Sequence, residues 1–145
     1  MELSPLTAIS SIDGRYRKQV HYLDEYFSEF GLMKYRVWVE IDYFLFLASL
    51  KLFKVLPQTT RFLNQLKEDF SQEHAQTIKN IEKTTNHDVK AVEYFLKEQL
   101  QINGDENLGE WVHFGLTSQD VNNTAIPLSL KEAAQEIILG RLQLE

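Results

Sequence analysis

From residue 24 to the end of the chain, apolar residues return every three or four positions, and no stretch of any length alternates apolar with polar. The first spacing is that of a helix; a half-buried strand needs the second. The chain is thereby confined to an all-α fold. Its strongest segment is residues 32–53, where Met33, Val37, Trp38, Ile41, Phe44, Leu45, Leu47 and Leu50 cover nearly every side. A helix wetted on one face would keep a polar stripe, so this one reads as a central, buried helix. Just before it, residues 24–30 form a short amphipathic segment running into Gly31.

The remaining helices are marked by their ends. Pro57 and two threonines precede a helix over residues 60–70. Ser71 opens another, with Ala75, Ile78 and Ile81 on one side and Thr84, Thr85 and Asn86 as its stop. A fourth starts at Asp88, whose carboxylate suits the positive end of the helix dipole, and carries Val89, Val92, Leu96 and Leu100 on one stripe. Residues 103–107 (NGDEN) are a loop by composition. Residues 110–114 are a short aromatic segment closed by Gly115. Ser118 is the expected N-cap of the last helix, in which Pro127 should bend the axis or remove a hydrogen bond. That helix runs to residue 145 with no stop signal. Its apolar row, which includes Ile126, Leu130, Ile137 and Leu142, implies a longer chain or a covering subunit.

Composition excludes several function classes. At 145 residues the chain can bury roughly two thirds of its unfolded surface in one compact domain. Hydrophobic residues make up 43%, too many for a disordered chain. A net charge of −6 disfavours nucleic acid as a partner. With no Cys there is no disulfide, thiol or Cys-ligated zinc chemistry. Neither a secretory leader nor a membrane span is expected, since the longest apolar run, residues 43–50, is far too short. The reading is a cytoplasmic protein without a membrane contact.

Three polar clusters are candidates for chemistry. Asp13-Gly14 is a turn that presents Arg15 and Tyr16 side by side, and Arg grips phosphate bidentately. A turn with solvated charges is the plain alternative. Residues 84–88 (TTNHD) place Asn86, His87 and Asp88 between two helices, where backbone N–H groups favour an anion; helix caps would account for the same residues. Residues 113–120 (HFGLTSQD) repeat that arrangement with Thr117 and Ser118 at a helix start, His113 packing behind Trp111 in the plain reading. No histidine pair has the i, i+4 spacing of a helical zinc site, and no metal is expected.

Taken in order, residues 6–16 (LTAISSIDGRY), 81–97 (IEKTTNHDVKAVEYFLK) and 113–123 (HFGLTSQDVNN) resemble the N-terminal part of the adenylosuccinate lyase family, within the fumarase/aspartase superfamily. The resemblance runs through all 145 residues and covers about the first third of a typical member. It implies residues 1–116 as an N-terminal helical domain and 117–145 as the start of a central helix bundle. It also implies a C–N lyase that releases fumarate from adenylosuccinate to leave AMP, and from the succinyl-carboxamide ribotide (SAICAR) to leave AICAR, in purine biosynthesis. No cofactor is implied. Carried over, Arg15 and Tyr16 contact the nucleotide, Asn86, His87 and Asp88 form a substrate-binding turn, and Thr117 and Ser118 clamp the succinyl carboxylate. His113 matches a histidine near the site. The family's general acid lies in a His-Gly-Gln segment and its general base in a Ser-Ser-x-Met-Pro-His-Lys loop. Neither is in this sequence, so no catalytic residue is assigned and the chain alone is expected to lack turnover. Members are homotetramers with sites built from three subunits. The competing readings are a non-catalytic helical interaction module and a superfamily lyase acting on another succinyl substrate.

Overall fold

A computed structural model describes Thr7, Ile9 and residues 16–139, the side chain of Ile138 apart. Among these residues seven α-helices follow one another: α1 (Arg17–Val20), α2 (Asp24–Phe27), α3 (Glu29–Ser49), α4 (Pro57–Glu68), α5 (Gln72–Thr85), α6 (Asp88–Ile102) and α7 (Ser118–Ala133). Short 3-10 turns span His21–Leu23 and Glu106–Trp111, and α7 runs on into a π-helical turn, Ala134–Leu139. Among the described residues there is no strand, as the apolar period requires. No helix among them is long and apolar enough to cross a membrane.

The central helix is α3. It buries Phe30, Met33, Val37, Ile41 and Phe44 against Leu63 and Leu66 of α4, Ala75 and Ile78 of α5, and Val92, Phe95 and Leu96 of α6. Each large apolar side chain so buried contributes about 1.5–3 kcal/mol. The other flank of α3 receives α7 through Val121, Ala125, Ser129 and Ala133. Small residues at four-residue spacing let the two helices approach closely. Two tyrosines fasten the far end of α7: Tyr35 donates to Glu132 at 2.7 Å and Tyr26 to Glu136 at 2.5 Å. Burial first, then the Glu136 carboxylate, pushes the Tyr26 phenol up to about 12. The outer row of α7 stays exposed at Ile126 and Leu130. Pro127 is carried inside α7, so Asn123 loses its usual i+4 amide donor, yet the helix continues to Ala133.

Three boundaries differ from the sequence reading. The chain breaks at Ser28 rather than Gly31. Ser28 is extended (ψ 170°) and its hydroxyl accepts from the Gly31 amide at 3.1 Å, capping α3. Gly31 then sits inside the first turn of α3 because α2 passes against it. A Cβ there would lie 2.7 Å from the Tyr26 carbonyl carbon. At its other end α3 stops at Ser49, and Lys51 turns left-handed with φ 62°. Finally, α4 begins at Pro57 itself, whose missing N–H costs nothing in a first turn.

Candidate functional site

The best-defined polar site is built where α6 and α7 begin. α5 ends because Asn86 adopts a left-handed conformation (φ 52°), tolerable for Asn, with its amide donating to Glu82 at 2.7 Å. One residue later His87 is extended and caps α6: its Nδ1 accepts from the Lys90 amide at 3.1 Å. In the neutral ring the proton therefore sits on Nε2. That nitrogen lies 3.4 Å from the Ser118 hydroxyl, in the first turn of α7. Two residues 31 positions apart, each at a helix start, are thus brought to one place.

Asp88 is held from two sides. Its Oδ1 accepts from the Val89 amide at 2.8 Å and its Oδ2 from Arg36 at 2.7 Å. Burial alone would raise its pKa, but the Val89 amide and the Arg36 guanidinium outweigh burial and lower it. Arg36, itself buried, also donates through Nε to Asn122 of α7 at 2.9 Å. One guanidinium therefore ties α3 to the first turn of α6 and the second of α7.

The N-cap of α7 is Thr117, not Ser118 as the sequence suggested. Both the Thr117 amide and its hydroxyl donate to Asp120 at 2.7 Å. Those bonds, the amide first, lower the Asp120 pKa. The Thr117 hydroxyl is therefore engaged within the turn, while Ser118 is the residue facing His87. His113 does not pack behind Trp111: Trp111 stacks on Phe53 with centroids 4.5 Å apart, and His113 pairs through Nδ1 with buried Glu40. Its backbone is left-handed, φ 60°. Of Arg15 and Tyr16, the latter stands ahead of α1 about half exposed, and Arg15 lies outside the described residues. Among the described residues no group of three His, Asp or Glu side chains could hold a metal ion.

The sequence reading passed over the residues that hold this arrangement together. Arg36, Glu40 and Tyr43 follow at four- and three-residue spacing on one face of α3. They bond to Asp88 and Asn122, to His113, and to the Phe114 carbonyl (3.0 Å). The available signal was charge inside an apolar helix: Arg36 and Glu40 sit directly beside Val37 and Ile41, in positions that would otherwise be core.

Replacing Arg36 with Met keeps the volume and removes both bonds. Asp88 is half exposed and can rehydrate, so the expected loss is about 1.5 kcal/mol, the low end for bonds to a charged group. Because the Asp88 pKa is lowered on folding, its stabilisation is present above its ordinary value of 3.8 and is lost as pH falls through the folded value. The variant should therefore lose less stability on acidification than the parent. Urea midpoints at neutral pH and below pH 4 check both statements; parallel acid limbs would refute the pairing.

Comparison with known proteins places these residues in context. A family model described as lyase matches residues 14–144. Among curated proteins, the chain is 50% identical to an adenylosuccinate lyase of Dictyostelium discoideum over 99% of its own length and 32% of the relative's. It is 47% identical to the adenylosuccinate lyase of Escherichia coli over 96% of the chain, and 45% identical to that of Vibrio cholerae over 99%. The chain spans about a third of the length of these relatives (32%).

Proposed function

Because this chain belongs to the lyase family, we propose that it supplies substrate-binding residues to an adenylosuccinate lyase. The reaction is a β-elimination. A base takes the proton from the carbon beside a succinyl carboxylate, that pair forms the double bond of fumarate, and the C–N bond breaks as the leaving nitrogen gains a proton. SAICAR would be cleaved to AICAR in the same way. Such a step needs proton transfer and stabilisation of carboxylate charge, both of which side chains supply without a cofactor.

The observation that carries the reading is the meeting of His87 with Ser118 at two helix starts. First-turn amides and the helix dipole favour anions, and the substrate bears a phosphate and carboxylates. Asn86, His87 and Asp88 then position the nucleotide, with the Ser118 hydroxyl and the Thr117 turn on the succinyl carboxylate and Arg15 and Tyr16 on the phosphate side. On this reading residues 1–116 form an N-terminal domain and 117–145 begin a central bundle. The exposed Ile126 and Leu130 are then covered in a homotetramer in the cytoplasm. The general acid and base belong to segments this sequence does not contain, so the chain binds without turning over.

The test is a titration of the ¹⁵N-labelled chain with AMP and with adenylosuccinate, followed by an absorbance assay for fumarate release. Amide shifts should concentrate at residues 86–88 and 117–118, and His87→Ala should weaken binding about tenfold, the worth of one lost hydrogen bond. Turnover by the pure chain would overturn the binding-only role. Shifts confined to other surfaces would overturn the site.

A further inference from the structure

Two unfavourable features of the molecule meet at one side chain. Glu40 is 1% exposed, and its Oε2 has no hydrogen-bond partner among the described residues. A buried carboxylate with an unsatisfied oxygen is expensive. Glu93, the other carboxylate acting on it, makes ionisation of Glu40 harder still; Glu93 itself is paired with Lys90 and Lys97. What compensates comes from His113: Oε1 of Glu40 pairs with the ring Nδ1, and the His113 backbone amide also favours the charged carboxylate. His113 in turn holds a left-handed backbone that a non-glycine residue rarely adopts. Neither cost is needed for packing, since Tyr43 already fixes the same turn through the Phe114 carbonyl at 3.0 Å. Such costs persist where the surroundings hold a group in a required pose.

The pose concerns the other nitrogen of the ring. Nε2 of His113 has no hydrogen-bond partner among the described residues, and its side chain keeps 16% exposure. His113 lies four residues before Thr117, and the Leu116 amide donates back to its carbonyl at 3.2 Å, so it belongs to the turn that leads into α7. We propose that Glu40 is a positioning residue: it engages the proton-bearing Nδ1 of His113 and so leaves Nε2 as the nitrogen available beside the start of α7. Unprotonated, Nε2 accepts a proton or hydrogen bond; in the imidazolium it donates one to an anion. His87 is set the opposite way, with Nδ1 occupied by a backbone amide and the proton on Nε2. The two histidines nearest α7 thus present different faces of the same ring chemistry. Any use of His113 in the elimination rests on the lyase reading; the hold of Glu40 on it does not.

Long-range ¹H–¹⁵N spectra of the intact histidine-labelled chain test this, with His113→Phe assigning the signals. The expected result is a protonated, pyrrole-type Nδ1 on His113, lost in Glu40→Leu as the ring reverts to the Nε2–H form. A bare Nδ1 in the parent chain overturns the proposal, and so does a Glu40→Leu spectrum that keeps the protonated Nδ1. Should that variant not fold, the parent still decides. An Nδ1 proton enclosed against Glu40 must exchange slowly enough to give a downfield resonance that His113→Phe removes, and its absence overturns the assignment. AMP serves as the second probe: an Nε2 resonance that moves with AMP supports the use of this nitrogen in the site. An unresponsive ring with Nδ1 still protonated overturns the use of Nε2 in AMP binding and leaves the role of Glu40 standing.

Discussion

Phe95→Ala should destabilise the protein by about 3–5 kcal/mol, the usual cost of truncating a fully buried aromatic ring. Phe95 is 0% exposed in the middle of α6. Its ring stands edge-on to Phe70, with centroids 6.4 Å apart at 89°, and tilted against His74 at 5.7 Å. Truncation leaves a cavity that these neighbours cannot close without moving α5. Against a total stability of about 5–15 kcal/mol the loss is large, and it corresponds to roughly a 10 °C fall in melting temperature for a chain of this size. The consequence reaches the site, because α5 and α6 flank the turn of Asn86, His87 and Asp88. Phe46→Ala is the matched control: at 55% exposure it should cost no more than about 0.5 kcal/mol. Thermal melts of both variants provide the check, and equal losses would show that the ring of Phe95 is not what joins α5 to α6.

Gly31→Ala should destabilise too, against the ordinary rule. In a free helix the change gains about 1 kcal/mol of propensity. Here the added Cβ meets the Tyr26 carbonyl carbon at 2.7 Å, its oxygen at 2.9 Å and the Glu25 oxygen at 3.0 Å. All three atoms are backbone and cannot rotate away, so α2 must shift. Overpacking of this kind costs about 3 kcal/mol at the upper end of its range, for a net loss near 2 kcal/mol. The shift would also strain the bond from Tyr26 to Glu136 that fastens the end of α7. Urea unfolding reads the loss, and faster amide exchange over residues 24–27 would locate it. A stabilised variant would mean that α2 does not pack on α3 as described.

These two residues also mark the limit of legibility. The stripe of Val89, Val92, Leu96 and Leu100 marks the core face of α6 in the sequence, and Phe95 lies beside Leu96 on that face. Gly31 reads as a stop, because glycine after an apolar segment usually is one. What makes it helical is the α2 backbone lying against it, a contact with no mark of its own in the sequence. The capped helix start was readable at Ser71, and within one residue at Asp88 and Ser118, whose helices are capped by His87 and Thr117, because a cap acts within three residues of itself. The site clusters were readable for the same reason. Asn86, His87 and Asp88, like Thr117 and Ser118, are local turn chemistry. Their pairing through His87 and Ser118 was not.

The sequence by itself determined that the chain is helical throughout, that one long helix lies at its centre, and that the polar turns fall at the starts of two later helices. All of these follow from period, composition and capping, which act over one or two turns. Tertiary structure alone decided that the two helix starts face each other and that α3 supplies the polar row, buried at Arg36 and Glu40, that holds them. Arg36, Glu40 and Tyr43 bond to residues 52, 73 and 71 positions away. In a one-dimensional pattern a charged residue counts as a solvent-facing position. Its burial becomes favourable only when a distant partner is folded against it, and that partner is set by the packing of α6 and α7 on α3.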